Sequence, residues 1–160
     1  MRHLTSKLSG GSFEKGAVSA AYGYLFNQAV HAASDSGRAL RADERDFYSK
    51  YFASDVLSRA RVTEGRVPFW LPSNMDGITL GKHIYFRKDV YIPGEAGSVE
   101  ILGHELVHVE QYGKGMNIFT YTWDFLKNGY SNNKYEVEAY SRGSRMRAGY
   151  CSKNRSAAGC

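Results

Sequence analysis

Apolar residues recur along this chain first at helical spacing, then in alternation, then at helical spacing again. The opening stretch, 1–16 (MRHLTSKLSGGSFEKG), is polar and rich in Gly and Ser, and reads as a linker or frayed end. Residues 17–33 are Ala-rich, with Tyr22, Leu25, Phe26 and Val30 spaced for one helical face. Asp35-Ser36-Gly37 ends that pattern. A second helix is predicted from about Ala42 to Arg59, with Phe47, Tyr51, Val56 and Leu57 on its buried side.

The pattern changes at Val62. Val67, Phe69 and Leu71 alternate with Arg66, Pro68 and Trp70. Ile78-Thr79-Leu80 and His83-Ile84-Tyr85-Phe86 flank Gly81-Lys82, which predicts a hairpin. Val90-Tyr91-Ile92 is a further candidate strand before Pro93-Gly94. Helical character returns at Ser98 and stops at Gly113. Residues 116–131 hold many aromatics and no clear period, so they read as irregular. Asn133 opens a last helix through about Arg147, and the tail from Ala148 is polar. The expected organisation is a linker or junction over 1–16, one domain over 17–147 and a polar tail over 148–160. The expected class is α+β, with helices around a small antiparallel sheet.

Composition narrows this little. A chain of 160 residues, 42% hydrophobic and 14% aromatic, is one ordinary domain with enough apolar surface for a core. The net charge is +5, with no run of five like charges, so a nucleic-acid arm is not indicated. The mixture of aromatics with Lys and Arg over 112–155 is met by core aromatics and solvated charges, and no nucleic-acid partner is expected. The least polar stretch, 17–33, is too short and too polar for a membrane span and lacks the layout of a signal peptide. Cys151 and Cys160 can close a small loop in an oxidising compartment or stay reduced. They lack the neighbours a zinc site needs.

The chemistry sits in Gly103-His104-Glu105-Leu106-Val107-His108, which contains H-E-x-x-H. Residues four apart share a helix face, so His104 and His108 can share one metal ion. Glu105 is placed to reach a water on that ion, the general-base position of zinc hydrolases. Val99, Leu102, Leu106 and Val109 form the apolar stripe that buries the helix. Catalytic zinc takes three protein ligands and one open position. His3, His31 and His83 have no ligand spacing to the motif. Glu136 and Glu138 are better placed, near the start of the last helix. Residues two apart point to different sides, so only one of the two can serve. Each has a plain alternative role: Asn133 and Glu136 have N-cap-to-N3 spacing, and Glu138 and Arg142 have ion-pair spacing.

At these residues a family resemblance appears. GHELVHVEQY followed by KYEVEAY resembles metallopeptidase domains found at the ends of bacterial secreted and toxin-system proteins. ITLGKHIYF resembles the strand pair before the zinc helix in that family. In related peptidases the third ligand is the first Glu of E-x-E-A-D, which carries over to Glu136. Tyr140 stands where that pattern has Asp, a residue that supports a ligand histidine. FEKGAVSAAYGYLFNQ is similar to the junction preceding C-terminal toxin domains in Rhs-repeat and filamentous-haemagglutinin proteins.

The resemblance implies a zinc metallopeptidase with Zn2+ on His104, His108 and Glu136, and Glu105 as general base. Tyr140, Tyr135 or Arg142 is left to stabilise the oxyanion. It further implies a toxin module of a larger secreted effector, delivered into a target cell. A protein or peptide substrate, a cognate immunity protein and a parent secretion machinery would be its partners. Two other readings remain: a zinc-dependent hydrolase of peptidoglycan cross-links, and a non-catalytic module whose zinc only joins helices.

Overall fold

The structure, a computed structural model, describes residues 37–160. The helix expected over 17–33, the segment 1–16, His3, His31 and the junction-like FEKGAVSAAYGYLFNQ lie outside the described residues. Helices α1 (Ala42–Tyr48) and α2 (Ser54–Arg59) replace the single helix expected over 42–59. The Tyr48 carbonyl accepts from both Tyr51 and Phe52 N–H, and Ala53 is extended, so the helix stops and restarts. The restart re-aims the chain. Tyr48, Phe52, Val56 and Leu57 enter the core, while Phe47 and Tyr51 are only partly buried against it.

Strands β1 (Arg61–Glu64), β2 (Gly77–Leu80) and β3 (His83–Phe86) form one sheet in the order β1-β3-β2. The hairpin forms as its turn residues require: β2 runs antiparallel to β3, and Gly81 takes φ 65°. β1, however, pairs parallel with β3, so the sheet is mixed rather than antiparallel. The alternating run at 66–71 is not a strand. Pro68 and Pro72 withhold N–H donors there, and the Arg87 guanidinium gathers the carbonyls of Leu71, Pro72 and Met75 instead. Residues 90–92 are also not a strand; Ile92 N–H donates to Ser98 Oγ at the entry to the next helix.

Helix α3 (Ala96–Gly113) is the centre of the molecule, with every residue from Leu102 to Val109 buried. It packs on α2, β2, β3 and above all on α5 (Lys134–Lys153). Glycine permits that close crossing. A Cβ at Gly143 would stand 3.0 Å from the Glu100 carbonyl oxygen and 3.5 Å from His104 Cβ. Met146, also buried, fills the adjoining gap below Gly103.

Residues 118–128, expected to be irregular, form helix α4 (Ile118–Asn128). Asn117 caps it by accepting from Phe119 and Thr120 N–H, and Thr120 Oγ1 accepts from Asn117 N–H in return. α5 runs past Arg147 to Lys153. Cys151 and Cys160 are joined, so the tail folds back. The Ala158 carbonyl then accepts from Ala96 N–H at the start of α3, whose N-cap residue Glu95 provides no side-chain cap. No helix among the described residues is long and apolar enough to cross a membrane.

Candidate metal centre

A helix buried on all sides cannot carry polar residues unless each has a partner. Five such residues lie on α3: Ser98, which accepts from Ile92 N–H, and His104, Glu105, His108 and Gln111. The first ring nitrogens to consider are His104 Nε2 and His108 Nε2, which face each other at 3.1 Å across one helical turn. From α5, Glu136 Oε2 comes to 3.4 Å of His104 Nε2, and Oε1 to 3.4 Å of His108 Nε2. His104, His108 and Glu136, all buried, form a group that can hold a metal ion.

The spacing fits such an ion. A tetrahedron with ligand bonds of about 2.05 Å has edges of about 3.3 Å. The two Nε2 atoms stand 3.1 Å apart and each lies 3.4 Å from a different Glu136 oxygen, and one ligand atom from each of the three residues lies within 4.8 Å of the others. The charges fit as well. Burial opposes the Glu136 charge, but hydrogen bonds and charge from His104 and His108 hold this carboxyl well below the usual range. Burial would lower the His108 imidazolium, yet Glu136 and the charge of Glu105 outweigh it and hold it above its usual value. A cation between these groups would take the place of the shared protons.

Gln111 was not singled out in the sequence, though it lies three residues after His108 on the same face. Its Nε2 donates to Tyr135 O at 3.1 Å and to Glu138 Oε2 at 3.0 Å, which fixes the amide. Its Oε1 is thereby turned to His108 Nδ1 at 2.8 Å and accepts from it. That bond places the proton on Nδ1 and leaves the Nε2 lone pair for a metal. Glu138 thus faces Gln111 and Arg142 while Glu136 faces the histidines, as residues two apart on a helix must. Asn133 caps α5 through Tyr135 N–H, and Glu136 is not used as a cap.

His104 is held differently. Its Nδ1 is buried and has no hydrogen-bond partner among the described residues. The Tyr140 ring packs edge-on against its ring at 4.4 Å. Where the resembling pattern has an Asp acceptor, this chain has an aromatic wall. Tyr140 is half exposed and its hydroxyl meets that of Tyr130 at 3.1 Å. The other two candidates for the oxyanion are engaged elsewhere. Arg142 pairs with Glu110 and Glu138 and lies over the Phe52 ring. Tyr135 stacks on Tyr121 under the Lys134 ammonium.

Glu105 points to the sheet side of α3. Thr79 Oγ1 on β2 donates to its Oε2 at 2.6 Å, so this buried carboxylate is held apart from Glu136 while its charge is felt at His108. Thr79, a mid-strand Thr in a hairpin, carries no local signal of this role in the sequence. His83 is buried on β3, its ring stacked at 6.5 Å on Tyr85.

Two hydroxyls complete the surroundings. Tyr121 donates to Glu136 Oε1 at 2.9 Å and Tyr130 to Oε2 at 3.3 Å. Burial beside the carboxylate pushes both phenols up, so they stay protonated donors.

Residues 39–116 match the family model of the eCIS core domain, of the extracellular contractile injection system. The match spans the sheet and α3 with His104, Glu105, His108 and Gln111, and ends before Glu136. No curated protein and no solved structure matches the chain.

Proposed function

We propose that this protein is a zinc-dependent hydrolase, a metallopeptidase acting as the toxin module of a secreted effector. One observation carries the reading: two imidazole Nε2 atoms and the Glu136 carboxylate converge as a buried group that can hold a metal ion, with a separate buried carboxylate, Glu105, on the helix of the two histidines. His104, His108 and Glu136 would hold Zn2+, two imidazoles and one carboxylate being a catalytic rather than a structural donor set. Bound zinc supplies Lewis acidity that polarises a carbonyl and acidifies water.

The protein's own groups do the rest. Gln111 keeps the His108 proton on Nδ1. Thr79 holds Glu105 by Oε2, and the carboxylate takes a proton from the attacking water. The water oxygen bonds to the carbonyl carbon, the C–N bond breaks, and Glu105 returns the proton to the leaving amine. Tyr140, at the solvent edge with its ring against His104, is the donor that meets the oxyanion in this reading, its hydroxyl turning from Tyr130 to do so. The likeness to an eCIS core domain supports delivery by a parent injection machinery; the reading further calls for a protein or peptide substrate and a cognate immunity protein.

The test has two arms. Metal content after dialysis is measured on wild type, His104→Ala and Glu136→Ala; wild type should hold near-stoichiometric zinc and both variants should lose it. Glu105→Gln should keep the zinc and abolish both peptide cleavage and toxicity in a sensitive bacterium. Equal harmlessness of wild type and Glu105→Gln would reject the toxin reading, and a zinc-free wild type would reject the site. Parallel incubation with purified sacculi assigns any hydrolysis to cell-wall cross-links instead.

A further inference from the structure

Helix α4 contributes no core residue, as far as its side chains are described, and Phe119 and Trp123 stand 81% and 73% exposed on it. Its attachment is polar. Asp124 Oδ2 accepts from Lys134 N–H at the start of α5, and Asn133 Nδ2 donates to the Tyr121 carbonyl. The one long reach inward is the Tyr121 hydroxyl, which ends on buried Glu136. Tyr130, in the turn that follows α4, ends on the other oxygen of the same carboxylate.

We propose that Tyr121 and Tyr130 are positioning residues of the metal centre, and that α4 exists in this fold to bring them there. The proposal rests on the triad being a metal site. Each Glu136 oxygen has one tyrosine donor and one histidine neighbour. The carboxylate plane is thus pinned between the two Nε2 atoms before any ion arrives. A Glu side chain has three rotatable bonds, and without those donors only the two histidines would hold it in the metal-free protein. Partners of this kind, outside the ligands themselves, are worth about tenfold to 100-fold in metal affinity. The two hydroxyls also occupy lone pairs that water would otherwise take, which leaves the remaining ones aimed at the ion.

The experiment compares wild type with Tyr121→Phe, Tyr130→Phe and the double variant, which lose only hydroxyls. Zn2+ affinity is read by competition with a chromogenic chelator. The visible spectrum of the Co2+-loaded protein reports ligand geometry, and melting of the metal-free protein reports the fold. The expected result is at least tenfold weaker Zn2+ binding in the double variant and a shifted, weaker Co2+ band, with metal-free melting unchanged. Wild-type affinity and spectrum in the variants overturn the proposal and leave the metal site standing. A wild type that binds neither ion overturns both. If Tyr121→Phe fails to fold, Tyr130→Phe, in a half-exposed turn, decides the question by the same two readouts.

Discussion

Gly143→Ala tests whether the α3–α5 crossing sets the metal geometry. The added Cβ would lie 3.0 Å from the Glu100 carbonyl oxygen, where ordinary contact begins at 3.4 Å. The obstacle is helix backbone, so the helices must part by about 0.4 Å. The same Cβ lies 3.5 Å from His104 Cβ, directly beside one ligand. Overpacking of this kind costs about 1–3 kcal/mol, while Gly to Ala in a helix returns about 1 kcal/mol, for a net loss of about 0–2 kcal/mol. Metal ligands tolerate about 0.2 Å, so zinc affinity should fall about tenfold even where the fold is barely weakened. Gly97→Ala is the control, because its Cβ would meet nothing within 4 Å. The assay pairs chelator competition with thermal melting on all three proteins. Gly143→Ala with undiminished zinc affinity would refute the argument that this contact fixes the site.

Four further outcomes are expected. Replacing Cys151 and Cys160 by Ser opens a loop with a sequence separation of 9, and the chain-entropy cost is about 2.6 kcal/mol. Calorimetry should show a drop of roughly 5–10 °C for a chain of this size, and reductant should reproduce it on wild type. Met146→Ala empties a fully buried position and should cost about 2–5 kcal/mol in urea denaturation. Thr79→Val should leave zinc affinity unchanged and lower the hydrolysis rate, with Thr79→Ser restoring it, since the hydroxyl touches only Glu105. In the metal-free protein, Glu136 is held below its usual 4.5 and His108 above its usual 6.5. The first contributes stability that is lost as pH falls through its folded value. The second contributes stability that is lost as pH rises through its folded value. The melting advantage of wild type over Glu136→Gln should therefore peak between about pH 4.5 and 6.5 and shrink on both sides.

Local features of this fold were legible and non-local ones were not. The hairpin at 78–86 is specified by a two-residue Gly-Lys turn, and the structure forms it there. The parallel partner β1 is a long-range pairing, and nothing within its four residues encodes direction. α4 did carry a signal, Asn117 with Thr120 in capping-box spacing and Gly129 at its end, masked by aromatics that serve no core. The break at Ala53 leaves no mark in hydrophobic spacing, because Phe52 and Val56 would share a face in a continuous helix too. At the metal centre, the triad residues lie in motifs, whereas Thr79 and Gln111 matter only through neighbours that tertiary structure supplies.

The triad mixes two kinds of proximity. His104 and His108 are one turn apart, so any folded stretch of α3 brings their nitrogens together. Glu136 follows His108 by 28 residues and arrives only when α5 has docked, with Met146 at Gly103 and Gly143 in register against Glu100 and His104. Two imidazoles alone would hold an ion weakly, and a third ligand would convert a transient encounter into retention. On the proposed reading, loading would be a late event in folding and a readout of helix docking. Ion binding in turn draws the equilibrium toward the docked state by mass action. Were the chain delivered unfolded, as the proposed function would allow, it would arrive without an ion and could take one up only after α5 had returned to its place.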